Sequence, residues 1–125
     1  MCGITGLWET PGRREGELNE MAQTMANTIA HRGPDDSGVW SDPHAGIALG
    51  HRRLSIIDLS SAGHQPMASR SGRFVIALNG EIYNHLELRA ELDNSSNSST
   101  LLGGTGAALK WRGHSDTETL LAGFE

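Results

Sequence analysis

The sequence predicts an α+β domain in which mixed sheets are flanked by helices. Three observations carry that prediction. Residues 15–31 hold one clear amphipathic helix pattern, several strand candidates follow one another irregularly after it, and glycine is frequent, at 16 of 125 residues. Only 37% of the side chains are hydrophobic, which fits a loop-rich domain better than a helix bundle.

Residues 3–9 read as a strand with Ile4 and Trp8 on one face and with Gly3 and Gly6 allowing close backbone approach. Pro11-Gly12 reads as a turn. In the helix at 15–31, Leu18, Met21, Ala22, Met25 and Ile29 form one apolar stripe. Gly33-Pro34 ends it, because proline cannot continue a helix and restricts the residue before it. Val39-Trp40 suits a short strand before a turn at Asp42-Pro43, and residues 45–51 suit a strand of small residues. Leu54 to Leu59 is a further apolar stretch, and Ser60 to Met67 a loop.

The strongest strand candidate is 73–78, whose continuous apolar run predicts burial on both faces. It ends at the turn signal Asn79-Gly80. Residues 84–92 read as a helix capped by Asn84. The serine-, asparagine- and glycine-rich run 93–106 reads as a flexible low-complexity loop, and 107–111 as a last strand. Ser115-Asp116-Thr117-Glu118 matches a capping box opening a final helix. The chain ends inside that apolar run with no C-cap after it, so the expectation is the front portion of a longer protein.

Net charge is −5, which gives no basic footprint for nucleic acid. No apolar run reaches the roughly 20 residues that span a membrane, and no charged start followed by an apolar stretch marks a secretion signal. A cytoplasmic location is the expectation. With one cysteine, an internal disulfide and a cysteine-based zinc site are excluded. His31, His44, His51, His64, His85 and His114 show no short ligand spacing, so no metal site is expected.

The one cysteine is Cys2. If Met1 is removed, thiol and free α-amine share one carbon, and the amine serves as the base that takes the thiol proton. Amide chemistry then needs an oxyanion hole and a grip on the substrate. A strand ending in Asn79-Gly80 offers a side-chain amide and an unhindered N–H to one point, although the same pair also marks an ordinary hairpin. Arg52 and Arg53 offer guanidinium groups that can hold a carboxylate in a fork, or stand as a solvated surface pair. For a substrate ammonium group, Asp116, Glu81, Asp58, Asp35 and Asp36 are all available. Tyr83 is placed to pack or hydrogen-bond locally, and His31 to Gly38 is a helix stop and a tight polar turn.

Five stretches in order, Met1-Cys2-Gly3-Ile4-Thr5-Gly6, His31 to Gly38, His51-Arg52-Arg53-Leu54-Ser55-Ile56-Ile57-Asp58, Asn79-Gly80-Glu81-Ile82-Tyr83-Asn84 and Gly113-His114-Ser115-Asp116-Thr117-Glu118, resemble one family. It is the class II glutamine amidotransferase domain of glutamine-hydrolysing asparagine synthetases. The resemblance implies a four-layer αββα N-terminal-nucleophile sandwich, present here as a truncated portion over 1–125 with a flexible insertion at about 93–106.

It implies that Cys2 attacks the side-chain amide of glutamine to give a glutamyl thioester and ammonia. Asn79 and Gly80 would form the oxyanion hole. Arg53 would hold the α-carboxylate, with Leu54, Ser55 and the backbone of Ile56 and Ile57 lining the pocket. Glu81 and Asp116 would receive the amino end, and Arg32 and Asp35 would support. The domain itself would need no cofactor. ATP and magnesium would serve a C-terminal synthetase domain of the same chain, which amidates aspartate or another carboxylate acceptor, and a homodimer is compatible with this. The alternatives are a relative that amidates a polysaccharide or secondary metabolite, another class II amidotransferase of the phosphoribosyl or glucosamine phosphate type, and a truncated fragment without turnover; Ser-Ile-Ile-Asp and Gly-His-Ser-Asp-Thr-Glu favour the asparagine synthetase branch over the other class II types.

Overall fold

Packing begins with one helix on one sheet. The computed structural model describes residues 1–55, 60–101 and 109–125. Strand β1 (Gly3–Trp8) leads through Pro11-Gly12 to helix α1 (Glu15–Thr28), which a 3-10 turn at Ala30–Arg32 follows. Strands β2 (Asp36–Asp42) and β3 (Ile47–Arg53) then form a hairpin, and β1 adds antiparallel to the other edge of β3, giving the order β1-β3-β2.

The buried line of α1 is Leu18, Ala22 and Ala26, each 0% exposed, packed against Ala48 with Leu7 and Val39 beside it. The expected stripe is therefore rotated: Ala26 is in it, and Met21 and Met25 are only half-buried on its flank. Small side chains explain the rotation. A Cβ added at Gly50 would meet the Ala22 carbonyl and the Thr5 hydroxyl, so the helix backbone lies close to the middle strand, with room only for alanine between.

The sheet's other face carries Ile4 and Trp8, which do share a side as their spacing predicts, but lie 42% and 83% exposed. A second, two-stranded antiparallel sheet follows, of β4 (Met67–Ala68) and β5 (Val75–Ile76), and Leu78 just after it meets His51, the residue paired with Ile4. The strand expected over 73–78 is thus cut to two residues, and Phe74 to Leu78 are half-buried rather than buried on both faces. A strand extends only as far as its partner, and among the described residues β5 pairs only with the two residues of β4.

Helix α2 (His85–Leu101) starts right after Asn84, whose carbonyl accepts from the amides of Glu87 and Leu88. It also corrects the loop expected from residue 93, since the helix runs on to Leu101. That stretch contains no Gly or Pro before Gly103. Serine and asparagine cost a helix only tenths of a kcal/mol each, about 0.5 relative to alanine, and Ser95 bonds back to the Glu91 carbonyl at 2.9 Å. Residues 102–106 of the expected loop and 107–108 of the expected last strand lie outside the described residues, and Leu109 to Trp111 are in no strand.

Helix α3 (Asp116–Gly123) packs against α2 and β5. Its cap is half of the box expected: Ser115 Oγ accepts from the Thr117 amide at 3.2 Å. The Glu118 carboxylate turns instead to the amides of Arg112 and Gly113, at 2.7 and 3.1 Å. Among the described residues no helix is long and apolar enough to cross a membrane.

Candidate active site

Strand register brings the first residues of the chain to the end of β3. Gly3 pairs with Arg52, so one step further along the antiparallel pair Cys2 stands opposite Arg53. The Leu54 amide donates to Cys2 Sγ at 3.4 Å, and the thiol lies 3.7 Å from the Leu54 carbonyl. Arg32 Nε reaches the Cys2 carbonyl at 3.3 Å, so the turn after α1 holds the nucleophile candidate from its other side.

Alternation along β3 separates the two arginines that the sequence shows as a pair. Arg53 is buried, 8% exposed, and donates through Nη1 to the Ser60 carbonyl at 2.8 Å. Its guanidinium lies on Gly63, where an added Cβ would collide with it. Arg52 turns away and donates to the Gly33 carbonyl at 3.1 Å. Asp35 accepts from the Ser55 amide at 2.7 Å and so fixes the chain as it leaves β3.

Asn79, Gly80 and Glu81 follow β5 and are exposed. They face Asp116 at the start of α3, where Asp116 is 7% exposed. Its Oδ2 accepts from the Ile82 amide at 2.9 Å and its Oδ1 from the Thr117 amide at 2.8 Å. These stretches line one cleft of about 300 Å³, with Met1, Cys2, Arg53, Leu54, Asn79, Gly80, Glu81 and Asp116 around it. Tyr83 lies at its mouth, 89% exposed, rather than packed.

Of the five acids available in the sequence, Asp116 and Glu81 reach the cleft. Asp35 is spent on Ser55, Asp36 accepts from His64 Nδ1 at 2.7 Å, and Asp58 lies outside the described residues, as do Ile56 and Ile57. The charged side chains of the cleft are therefore one guanidinium and two carboxylates. That set suits a small zwitterion and does not suit a triphosphate with its metal. Among the described residues no group of three or more His, Cys, Asp and Glu is placed to hold a metal ion.

Sequence reading missed Gly63, Gln65, Leu78, Ser115 and Thr117 as lining residues. Gln65, 7% exposed, accepts from the Leu78 amide at 2.6 Å and donates to Thr117 Oγ1 at 3.1 Å. It sits in a stretch without periodicity, so only the fold shows its reach. His51 is 1% exposed and donates from Nε2 to the Leu78 carbonyl at 3.2 Å. Its Nδ1 is buried with no partner among the described residues, and burial holds its pKa below the ordinary 6.5 despite the Leu78 carbonyl and Asp36.

A sequence profile described as a glutamine amidotransferase domain matches residues 1–125. The glutamine-hydrolyzing asparagine synthetase 1 of Bacillus subtilis (strain 168) is 38% identical over 125 residues, covering 99% of this chain and 17% of its own length. The glutamine-hydrolyzing asparagine synthetase B of Escherichia coli (strain K12) is 43% identical over 91 residues, covering 73% of this chain and 16% of its own. The amidase chry2 of Gibberella zeae is 36% identical over 130 residues, covering 98% of this chain and 17% of its own. The chain thus spans about a sixth of the length of these curated relatives.

Proposed function

The chain belongs to the glutamine amidotransferase domain family, and on that premise we propose that it hydrolyses the side-chain amide of glutamine through Cys2. The observation that supports this best is the shared cleft: a thiol, a guanidinium, an Asn-Gly turn and two carboxylates, from four separated stretches of sequence, surround one small volume.

In this reading Met1, which is 76% exposed at the cleft mouth, is removed. The freed α-amine of Cys2 takes the thiol proton and the sulfur attacks the amide carbon. Charge builds on the carbonyl oxygen, where the Asn79 side-chain amide and the Gly80 N–H receive it; each such donor is worth about 10²–10³-fold in rate. The α-ammonium group returns the proton to the leaving nitrogen, the C–N bond breaks, and ammonia departs. Water then hydrolyses the thioester to glutamate and restores the thiol. Arg53 grips the substrate carboxylate, and Asp116 and Glu81 take the ammonium end, so substrate is oriented along the cleft. Arg32 and Asp35 support by holding the Cys2 carbonyl and the Ser55 amide.

The fold of this reading is the four-layer αββα sandwich. Helix α1 and the three-stranded sheet supply two layers, and the β4–β5 sheet with α2 and α3 begins the other two. Ammonia passes to a synthetase portion of a longer chain, where ATP and magnesium serve the amidation of aspartate; no step in the cleft runs through them. The location is the cytoplasm, where a free thiol stays reduced. A second reading keeps the glutaminase step and changes the acceptor, and the likeness to an amidase over nearly the whole chain favours keeping it open.

Intact mass with a glutaminase assay on the full chain tests the proposal. Loss of one methionine, ammonia from glutamine, and labelling of Cys2 alone by a glutamine-like diazoketone are the expected results. Retained Met1, or ammonia release untouched by Cys2→Ala, overturns it. Asparagine formation dependent on ATP and aspartate decides between the acceptors.

A further inference from the structure

Leu78 immediately precedes the Asn79-Gly80 turn and belongs to no strand, because β5 ends at Ile76. Its backbone groups are nonetheless both held, and by buried side chains. Gln65 Oε1 accepts from the Leu78 N–H at 2.6 Å, and His51 Nε2 donates to the Leu78 carbonyl at 3.2 Å. The other end of the Gln65 carboxamide donates to Thr117 Oγ1 at 3.1 Å. Thr117, 2% exposed, adjoins Asp116 and gives its amide to that carboxylate at 2.8 Å.

One rigid planar group therefore joins the residue before the donor turn to the residue after the acid. A buried carboxamide cannot rotate without leaving a polar group unsatisfied, at a cost well above that of an ordinary hydrogen bond. This bridge, together with the Asp116 bond to the Ile82 amide, holds the two ends of the cleft at a fixed distance, while the sheet that Cys2 adjoins reaches the same Leu78 through His51.

We propose that Gln65 is a positioning residue for the reaction: acting through Leu78 and Thr117, it sets the oxyanion donors of Asn79 and Gly80 in register with Cys2 at one end and Asp116 at the other. The assignment rests on the glutaminase reading. It separates from a general structural role because the thiol's own reactivity does not depend on the donor turn, whereas turnover does.

Gln65→Met keeps shape and removes both bonds. In the full chain it is expected to lower kcat for glutamine about 10- to 100-fold, as misplacement by about an ångström does, while the rate of Cys2 alkylation by iodoacetamide stays within about threefold. Thr117→Val removes the far acceptor, together with the 3.5 Å contact from Thr117 Oγ1 to Asp116 Oδ1, and is expected to act mainly on KM, with Thr117→Ser regaining most of the loss. If Gln65→Met does not fold, the Thr117 pair decides: a raised KM restored by serine supports the bridge, and an unchanged KM overturns it. Wild-type kcat in a folded Gln65→Met variant, or turnover and alkylation falling together, overturns the assignment alone. A wild-type chain that releases no ammonia from glutamine overturns the glutaminase reading and this assignment with it.

Discussion

Cys2 and Leu54 meet at the end of the β1–β3 pair, where the Leu54 N–H points at the Cys2 sulfur from 3.4 Å. The two are 52 residues apart in sequence, and only the antiparallel register joins them. The contact places the thiol by a backbone group, which no side-chain substitution at Leu54 other than proline removes. Changes at Cys2 therefore report on chemistry rather than on placement.

Cys2→Ala is expected to lower ammonia release from glutamine by about 10³-fold or more, the scale on which loss of a nucleophile falls. Glutamine affinity should change little, because Arg53, Glu81 and Asp116 are untouched. Calorimetric titration beside a glutaminase assay checks both. Loss of binding in step with activity would count against the thiol as nucleophile.

Arg53 and Gly63 are expected to fail in the same parameter. Arg53→Lys replaces a fork with a point charge, and Gly63→Ala pushes a Cβ into the guanidinium that already bonds Ser60. Each should raise KM for glutamine, by about tenfold for one charge-assisted hydrogen bond lost, with kcat less affected. A fall confined to kcat in either variant would remove Arg53 from the carboxylate role.

Glu118 is the residue whose loss should unfold the site without touching it. It is 5% exposed, accepts from the Arg112 and Gly113 amides, and lies 3.7 Å from the half-buried Arg89. Arg89 in turn stacks on Trp111 at 4.1 Å and donates to the Gly113 and Ser115 carbonyls. Removing the Glu118 carboxylate leaves the half-buried Arg89 without its counter-charge and the Arg112 and Gly113 amides without an acceptor, which together cost about 3 kcal/mol. Glu118→Ala should lose about that much in denaturant unfolding, and Glu118→Gln distinctly less.

What was legible in the sequence is what local pattern dictates. The α+β class, the α1 helix and the strand at the N-terminus follow from periodicity and turn chemistry, although α1 stops at Thr28 and it is the 3-10 turn at Ala30–Arg32 that runs into Gly33-Pro34. Cys2, Arg53, Asn79, Gly80, Glu81 and Asp116 each stood out by residue type, and the fold brings them to one cleft. What was not legible depends on partners. The run 73–78 has every local mark of a strand, yet its length is set by β4. Arg52 and Arg53 are adjacent in sequence and face opposite ways because a strand alternates. Ser-rich 93–101 lacks the apolar stripe of a helix and forms one as the continuation of 85–92. Gln65 matters through two contacts across 13 and 52 residues, and no pattern at that position announces them.

His51 sets a pH dependence whose sign follows from its burial. The ring donates from Nε2 to the Leu78 carbonyl, so the neutral form leaves Nδ1 bare. Protonation would add a buried N–H with no acceptor among the described residues, next to Arg53 and His64, which oppose the charge; the Leu78 carbonyl and Asp36 favour it but do not outweigh burial. The folded pKa is therefore lowered from 6.5. Below 6.5 the unfolded chain takes up the proton and the folded chain does not, so unfolding binds protons and stability falls as pH drops. The loss starts near 6.5 and grows until the lowered folded pKa is reached; above 6.5 His51 contributes no slope. His51→Gln keeps a donor for Leu78 and cannot titrate. Its unfolding free energy, measured by denaturant between about pH 5 and 7, should be flatter than that of the wild-type chain, and parallel curves would show that His51 is protonated as readily in the fold as outside it.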